Sequence, residues 1–206
     1  MLPSLPSTLV GSIAAAAIVA GCGGSSSSPS TSSSSTSASG SGSAASTLSA
    51  DARSAATGDI PDNQVFLVFR NARAGYSLKY PEGWSRTGSA GSITFRDKNN
   101  LVHVEVAHRP APSMSAVRAQ LAALKRATAL SFTPPVSVTL GGQPAIKAVY
   151  TTQSAPNPVT GKRVTLIVDR YVLAGVGGVA TIDLGTPRGV DNVDAYRMMI
   201  ESFRWH

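Results

Sequence analysis

One cysteine, Cys22, and three histidines, His103, His108 and His206, are the residues of this 206-residue chain best suited to nucleophilic or metal chemistry. A single thiol allows neither an internal disulfide nor a multi-thiolate metal site, so Cys22 must act alone. Its sulfur is a nucleophile. His103 and Glu105 lie two residues apart, which puts both on one face of a strand, but zinc takes three or four protein ligands and a pair does not make a site. A solvated polar strand face is the plainer reading of that pair. No Gly-x-Ser-x-Gly elbow occurs, and Ser, His and Asp form no further constellation for nucleophilic hydrolysis. Gly175-Val176-Gly177-Gly178 lacks the Lys and the Ser or Thr that complete a phosphate loop, so it is expected to be a hairpin turn. Phe66, Phe69, Tyr171 and Phe203 fit a core better than a base-stacking surface, which argues against nucleic acid. The chain is therefore expected to be no enzyme, with no catalytic residue, metal or cofactor.

The surroundings of Cys22 say what its sulfur is for. From Leu9 to Ala20 the chain is apolar apart from Gly11 and Ser12, and Val19-Ala20-Gly21 bring small residues up to Cys22. The run is shorter than the ~20 residues that a membrane-crossing helix needs. It resembles the bacterial lipobox that ends a lipoprotein signal peptide, although Met1 to Thr8 lack the usual Lys or Arg. The resemblance implies a signal peptide over residues 1–21 and a diacylglycerol thioether on Cys22, followed by cleavage that makes Cys22 the N-terminus. Added acyl chains such as palmitate would hold the protein where a single chain binds only marginally. The expected location is the extracytoplasmic face of the cell membrane. Gly23 to Ala50 are almost wholly Ser, Gly, Thr and Ala, too poor in apolar surface to fold, and residues 22–62 are expected to form a lipidated, disordered tether spanning tens of ångströms.

All charge lies beyond residue 50, the first ionisable side chains being Asp51 and Arg53, and the net charge is +7 with a pI near 10.0. Such a balance favours anionic neighbours. Residues 63–206 are expected to form one α+β domain. Val65 to Phe69, Tyr76 to Tyr80, Ser92 to Arg96, Leu101 to Ala107, Val136 to Leu140, Ala145 to Thr152, Arg163 to Ala174 and Val179 to Leu184 have the length and bounding turn residues of strands. Asp97-Lys98-Asn99-Asn100 and Gly141-Gly142-Gln143-Pro144 suit hairpins. The sheet should be mainly antiparallel, with Val102, Val104 and Val106 on one face. Helical spacing of Val117, Leu121, Leu124 and Thr128 predicts a helix over about Ser115 to Ala129, with Arg118, Lys125 and Arg126 off its apolar stripe. Those three cations suit a solvated outer face or an anion-binding surface. A second helix is expected from an Asp191 cap to about Phe203, with Val193, Tyr196, Ile200 and Phe203 inward.

Gly75-Tyr76-Ser77-Leu78-Lys79-Tyr80-Pro81-Glu82-Gly83-Trp84, an aromatic strand running into Pro-x-Gly-Trp, resembles the opening of PsbP-like domains. Phe95-Arg96-Asp97, Gly142-Gln143-Pro144-Ala145 and a final Ser202-Phe203-Arg204-Trp205 follow in the order of that family. The resemblance covers roughly residues 64–206. It implies an α/β/α sandwich with an antiparallel sheet flanked by helices, the fold shared by photosystem PsbP proteins and Ran-binding Mog proteins. Known relatives act mostly by binding other proteins, and nothing here calls for the photosystem role.

Two functions fit these observations. The first is an interaction module, anchored to the membrane by lipid, that docks an envelope protein or an anionic wall polymer. The alternative is a carrier or sensor of a small amphipathic or lipid ligand held between helix and sheet.

Overall fold

β-branched and aromatic residues at alternate positions hold most of the chain from 66 to 187 extended. The computed structural model describes residues 58–128 and 131–206; the expected signal peptide, the lipidated Cys22 and the tether up to residue 57 lie outside the described residues. The strands are β1 (Phe66–Asn71), β2 (Tyr76–Pro81), β3 (Ser85–Ser89), β4 (Ser92–Asp97), β5 (Asn100–Ala107), β6 (Ser131–Phe132), β7 (Val136–Leu140), β8 (Gln143–Gln153), β9 (Thr165–Gly175), β10 (Gly178–Pro187) and β11 (Arg204–Trp205). The helices are α1 (Met114–Thr128), between β5 and β6, and α2 (Val193–Glu201), between β10 and β11.

The strands form two sheets where one was expected. The larger runs β3-β4-β5-β10-β9-β8-β6, with β7 also on β8, and the smaller runs β1-β2-β11. Every described strand pair is antiparallel. Strand alternation sorts the side chains of the large sheet between two cores. Ile93, Phe95, Val102, Val104, Ala180, Ile182 and Leu184 turn to one face, where they meet Tyr76 and Leu78 of β2 and Tyr196, Met199 and Ile200 of α2. Val117 and Leu121 of α1 cover Ile146, Tyr150, Leu166 and Val168 on the other face. β10 lies at the centre and is buried on both sides from Val179 to Gly185, as a strand roofed on both faces must be.

Small-sheet aromatics lock the first core. Tyr80 stacks on Phe95 with ring centroids 4.5 Å apart, and Phe69 meets the same ring edge-on at 5.3 Å. The Pro-x-Gly-Trp motif is a turn closed by the Trp84 N–H on the Pro81 carbonyl at 3.3 Å. Gly83 adopts φ +86 within it, a conformation that a side chain would strain, and Trp84 swings in to be only 9 % exposed.

Several local expectations are corrected. β3, Ser-Arg-Thr-Gly-Ser, is exposed at every position, so no apolar alternation marks it as a strand. α2 starts at Val193 after an Asn192 cap, not an Asp191 cap. Val193 points to solvent at 67 % exposed, and Met199 takes the inward place at 0 %. The helix also stops before Phe203: the chain turns at Ser202 and Arg204–Trp205 pair with Ser77 and Tyr76 of β2. Asn192 is instead a buried node. Its side-chain oxygen accepts from the Ile60 N–H at 2.8 Å, and its amide donates to Thr186 Oγ1 at 2.9 Å, Asn100 Oδ1 at 3.1 Å and the Gly58 carbonyl at 3.2 Å. The packed chain thus begins ahead of Asn63, because Ile60 belongs to the core and these amides satisfy the backbone that leads into it.

Candidate functional site

His103 and Glu105 do share one face of β5, and β10 pairs them with Asp183 and Thr181. The row continues to Arg170 on β9, opposite Asp183. Arg170 grips Asp183 with two bonds, Nε to Oδ1 at 2.7 Å and Nη2 to Oδ2 at 2.6 Å, and Tyr150 donates to Oδ2 at 3.1 Å. The guanidinium also lies over the Tyr150 ring at 5.1 Å. Burial, then the neighbouring Asp183 charge, pushes the Tyr150 phenol well above its ordinary range. Burial works against the Arg170 charge, but Asp183 outweighs it and raises Arg170 further. Both Asp183 oxygens are engaged, so this is a closed brace within the sheet and not an acid or base facing a substrate. His103 turns its Nε2 to the Ser92 hydroxyl at 2.9 Å. No cluster of three or more His, Cys, Asp or Glu able to hold a metal occurs among the described residues.

Arg118, Lys125 and Arg126 all lie exposed on α1, away from its buried Val117 and Leu121. None has an ion-pair partner among the described residues. Lys125 and Arg126 fall in the last turn, where cations suit the helix dipole. The helix thus holds the sheet with one face and presents cations on the other.

The third feature was not read from the sequence. Hairpin turns of both sheets converge at one end of the domain around a pocket of about 430 Å³. Arg73 and Gly75 of the β1–β2 turn, Gly91 of the β3–β4 turn, His108 beyond β5, Gly177 of the β9–β10 turn and His206 line it. Gly175-Val176-Gly177-Gly178 is the expected hairpin, and its glycines have a packing reason. A Cβ at Gly175 would fall 2.1 Å from Trp205 Nε1, and one at Gly177 would fall 2.7 Å from Trp205 Cζ3 and from the Ala74 carbonyl oxygen. The Trp205 indole therefore lies directly against the turn. His206 is held in the small sheet by its N–H on the Gly75 carbonyl at 2.8 Å and by Nε2 against Ser77 Oγ at 2.9 Å. The nearest sequence signal was the count of histidines, because the residues of the pocket lie up to 134 positions apart, from Ala72 to His206.

With this geometry in view, known structures supply a parallel. The solution structure of cyanobacterial PsbP (CyanoP) from Synechocystis sp. PCC 6803 superposes with a TM-score of 0.53 at 17% identity, covering 72% of this chain and 98% of that one. The fold is PsbP-like. The Saccharomyces cerevisiae Ran-binding protein Mog1p gives 0.45 at 10% identity over 69% of this chain and 96% of its own, and a Bacteroides thetaiotaomicron VPI-5482 structure gives 0.42 at 15% over 68% and 48%. No protein-family model matches the chain, and no curated protein matches it in sequence. In this chain the aromatic strand, the Pro-x-Gly-Trp turn and the closing strand are framework. His108 and the α1 cations lie outside those motifs.

Proposed function

We propose that this chain is a lipid-anchored extracytoplasmic docking module whose domain presents positive charge to an anionic polymer or protein of the cell envelope. The observation that supports this reading is uncompensated charge on a face the fold does not need. From residue 58 onward all of the Lys and Arg but Arg53, and all of the Asp and Glu but Asp51, remain, which leaves the whole net charge of +7 on the domain. Ion pairs to Asp169, Asp183 and Asp194 engage Lys147, Arg170 and Arg197. Arg118, Lys125 and Arg126 are left to solvent on a helix that packs through its opposite side. Such a surface raises the local concentration of anions and the rate of encounter with them. The anchor on Cys22, with its Ser-rich tether, would keep that surface within reach of wall polymers and envelope proteins.

The test is co-purification from the native membrane in mild detergent, with mass spectrometry of what accompanies the full-length protein. A recurrent acidic envelope protein or polymer is expected with the wild type and not with an Arg118→Gln, Lys125→Gln, Arg126→Gln variant. Equal recovery from both would overturn the role of this face. A stoichiometric lipid that survives purification would establish the carrier instead. The Cys22→Ser protein should leave the membrane fraction; if it stays, the lipid anchor is wrong.

A further inference from the structure

The end pocket differs in kind from the α1 surface. It is concave, it is built from turns of both sheets, and its polar side chains include no carboxylate. Arg73 brings a guanidinium, His108 and His206 bring imidazoles, and the other lining side chains are Ala, Val or Gly; no Asp or Glu side chain lines it. Neither Arg73 nor His108 has a side-chain partner among the described residues. A guanidinium is a pure donor with a fork that matches two oxygens of one phosphate or carboxylate. The Ser77 hydroxyl engages His206 at Nε2, which leaves Nδ1 for a ligand, as a donor whenever Ser77 donates to Nε2. Donors without competing carboxylates favour a ligand rich in acceptors and negative in charge.

Size narrows the class. A lone oxyanion needs only a small part of about 430 Å³, a volume within the range of small-molecule sites. The walls are short where room is needed, because glycine and alanine occupy the turn positions around Arg73 and the two imidazoles. The frame is also firm, since the Trp205 ring backs the β9–β10 turn at Gly175 and Gly177 and the β11–β2 ladder fixes His206. A site held by strand ends and packed turns needs little ordering on binding.

We propose that this pocket binds an organic phosphate of about glycerol or sugar size, with Arg73 gripping the phosphate oxygens, His108 and His206 flanking them, and the small-residue wall receiving the carbon unit. The site stands whether or not the α1 face docks a partner, since it shares no residue with that face. Its ligand is either a free phosphate ester or the glycerol phosphate head group of an anionic lipid.

The test uses the full-length Cys22→Ser chain and sn-glycerol 3-phosphate, followed by amide chemical shifts. Perturbations are expected at Gly75, Gly91, Gly177 and His206, with none from glycerol. Arg73→Gln should weaken binding roughly tenfold, the loss expected on removing one charge-assisted contact, while Arg118→Gln changes nothing. Flotation with phosphatidylglycerol vesicles, against phosphatidylcholine, separates the sources. Arg73-dependent flotation assigns the site to the lipid head group. Binding of the free ester with flotation that ignores Arg73 assigns it to a soluble ligand. Absence of any shift, or shifts confined to α1, overturns the site. Arg73 is exposed and unpaired, so Arg73→Gln should leave the thermal midpoint unchanged, and this control ties a loss of binding to the pocket.

Discussion

Tyr196→Phe should destabilise the protein at neutral pH and cease to do so in alkali. Tyr196 sits on α2, only 7 % exposed, and donates its hydroxyl to the Gly185 carbonyl of β10 at 2.6 Å. Burial raises its phenol pKa far above the ordinary value near 10, against a smaller opposing pull from hydrogen bonds with the Leu101 backbone and the side chains of Thr186 and Asn192. A folded-state pKa raised above the unfolded one means that the folded chain keeps a proton that the unfolded chain gives up. The stability tied to that proton is complete below about pH 10 and is lost as pH rises from there toward the folded pKa, with a slope of about 1.4 kcal/mol per pH unit. Near pH 11 the wild type has therefore lost about 1.4 kcal/mol through this side chain alone. Phenylalanine has no such proton to hold. Near neutrality, however, the variant lacks the hydrogen bond, at about 0.5 to 1.5 kcal/mol. Urea unfolding followed by the fluorescence of Trp84 and Trp205, from about pH 7 to pH 11, should show the two proteins converging by about 1.4 kcal/mol. A constant gap across that range would refute the reasoning, as would a Tyr196 phenol that titrates in the folded protein at its ordinary value. Tyr150→Phe should narrow its own gap in the same window, for the same first cause.

Further outcomes follow from packing and charge. Trp84→Ala removes an indole from the first core and should cost about 3 to 5 kcal/mol in unfolding free energy; a near-neutral result would mean that the turn does not deliver this ring to the core. Asp183→Asn unpairs an Arg170 side chain that is 12% exposed and should cost about 3 to 5 kcal/mol by urea denaturation, whereas Arg170→Met with Asp183→Leu should recover most of that loss.

The larger part of the fold was legible because buried strands carry their own period. Val102 and Val104, Ile93 and Phe95, and Ile182 and Leu184 alternate with polar or small residues, and each pair is buried as alternation demands. The elements missed are those in which local pattern and tertiary role part company. β3 pairs with β4 while burying nothing, so Ser85 to Ser89 read as a loop. Arg204 and Trp205 continue a helix-like spacing from Tyr196 and Ile200, and only β2, which lies far away in sequence, makes them a strand. Ile60 stands alone in a polar stretch and is buried because Asn192 and Asn100 receive the backbone around it. The α1 cations were visible because one helix displays them. The end pocket was not, since its residues come from separate turns that only the pairing of strands brings together.

The small sheet carries a consequence for how the protein comes to be. Its middle strand, β2, is flanked by β1, its near neighbour in sequence, and by β11, whose Trp205 lies opposite Tyr76. The Asn192 node likewise ties Ile60 to a residue 132 positions further on. Contacts this remote in sequence form late, since the loop between them must close before they stabilise anything. The emerging chain can build the β4–β5 and β9–β10 hairpins as it lengthens but cannot close its first core until Phe203 to His206 arrive. A polypeptide of this design keeps its first core open until β11 docks on β2, and that short strand acts as its clasp.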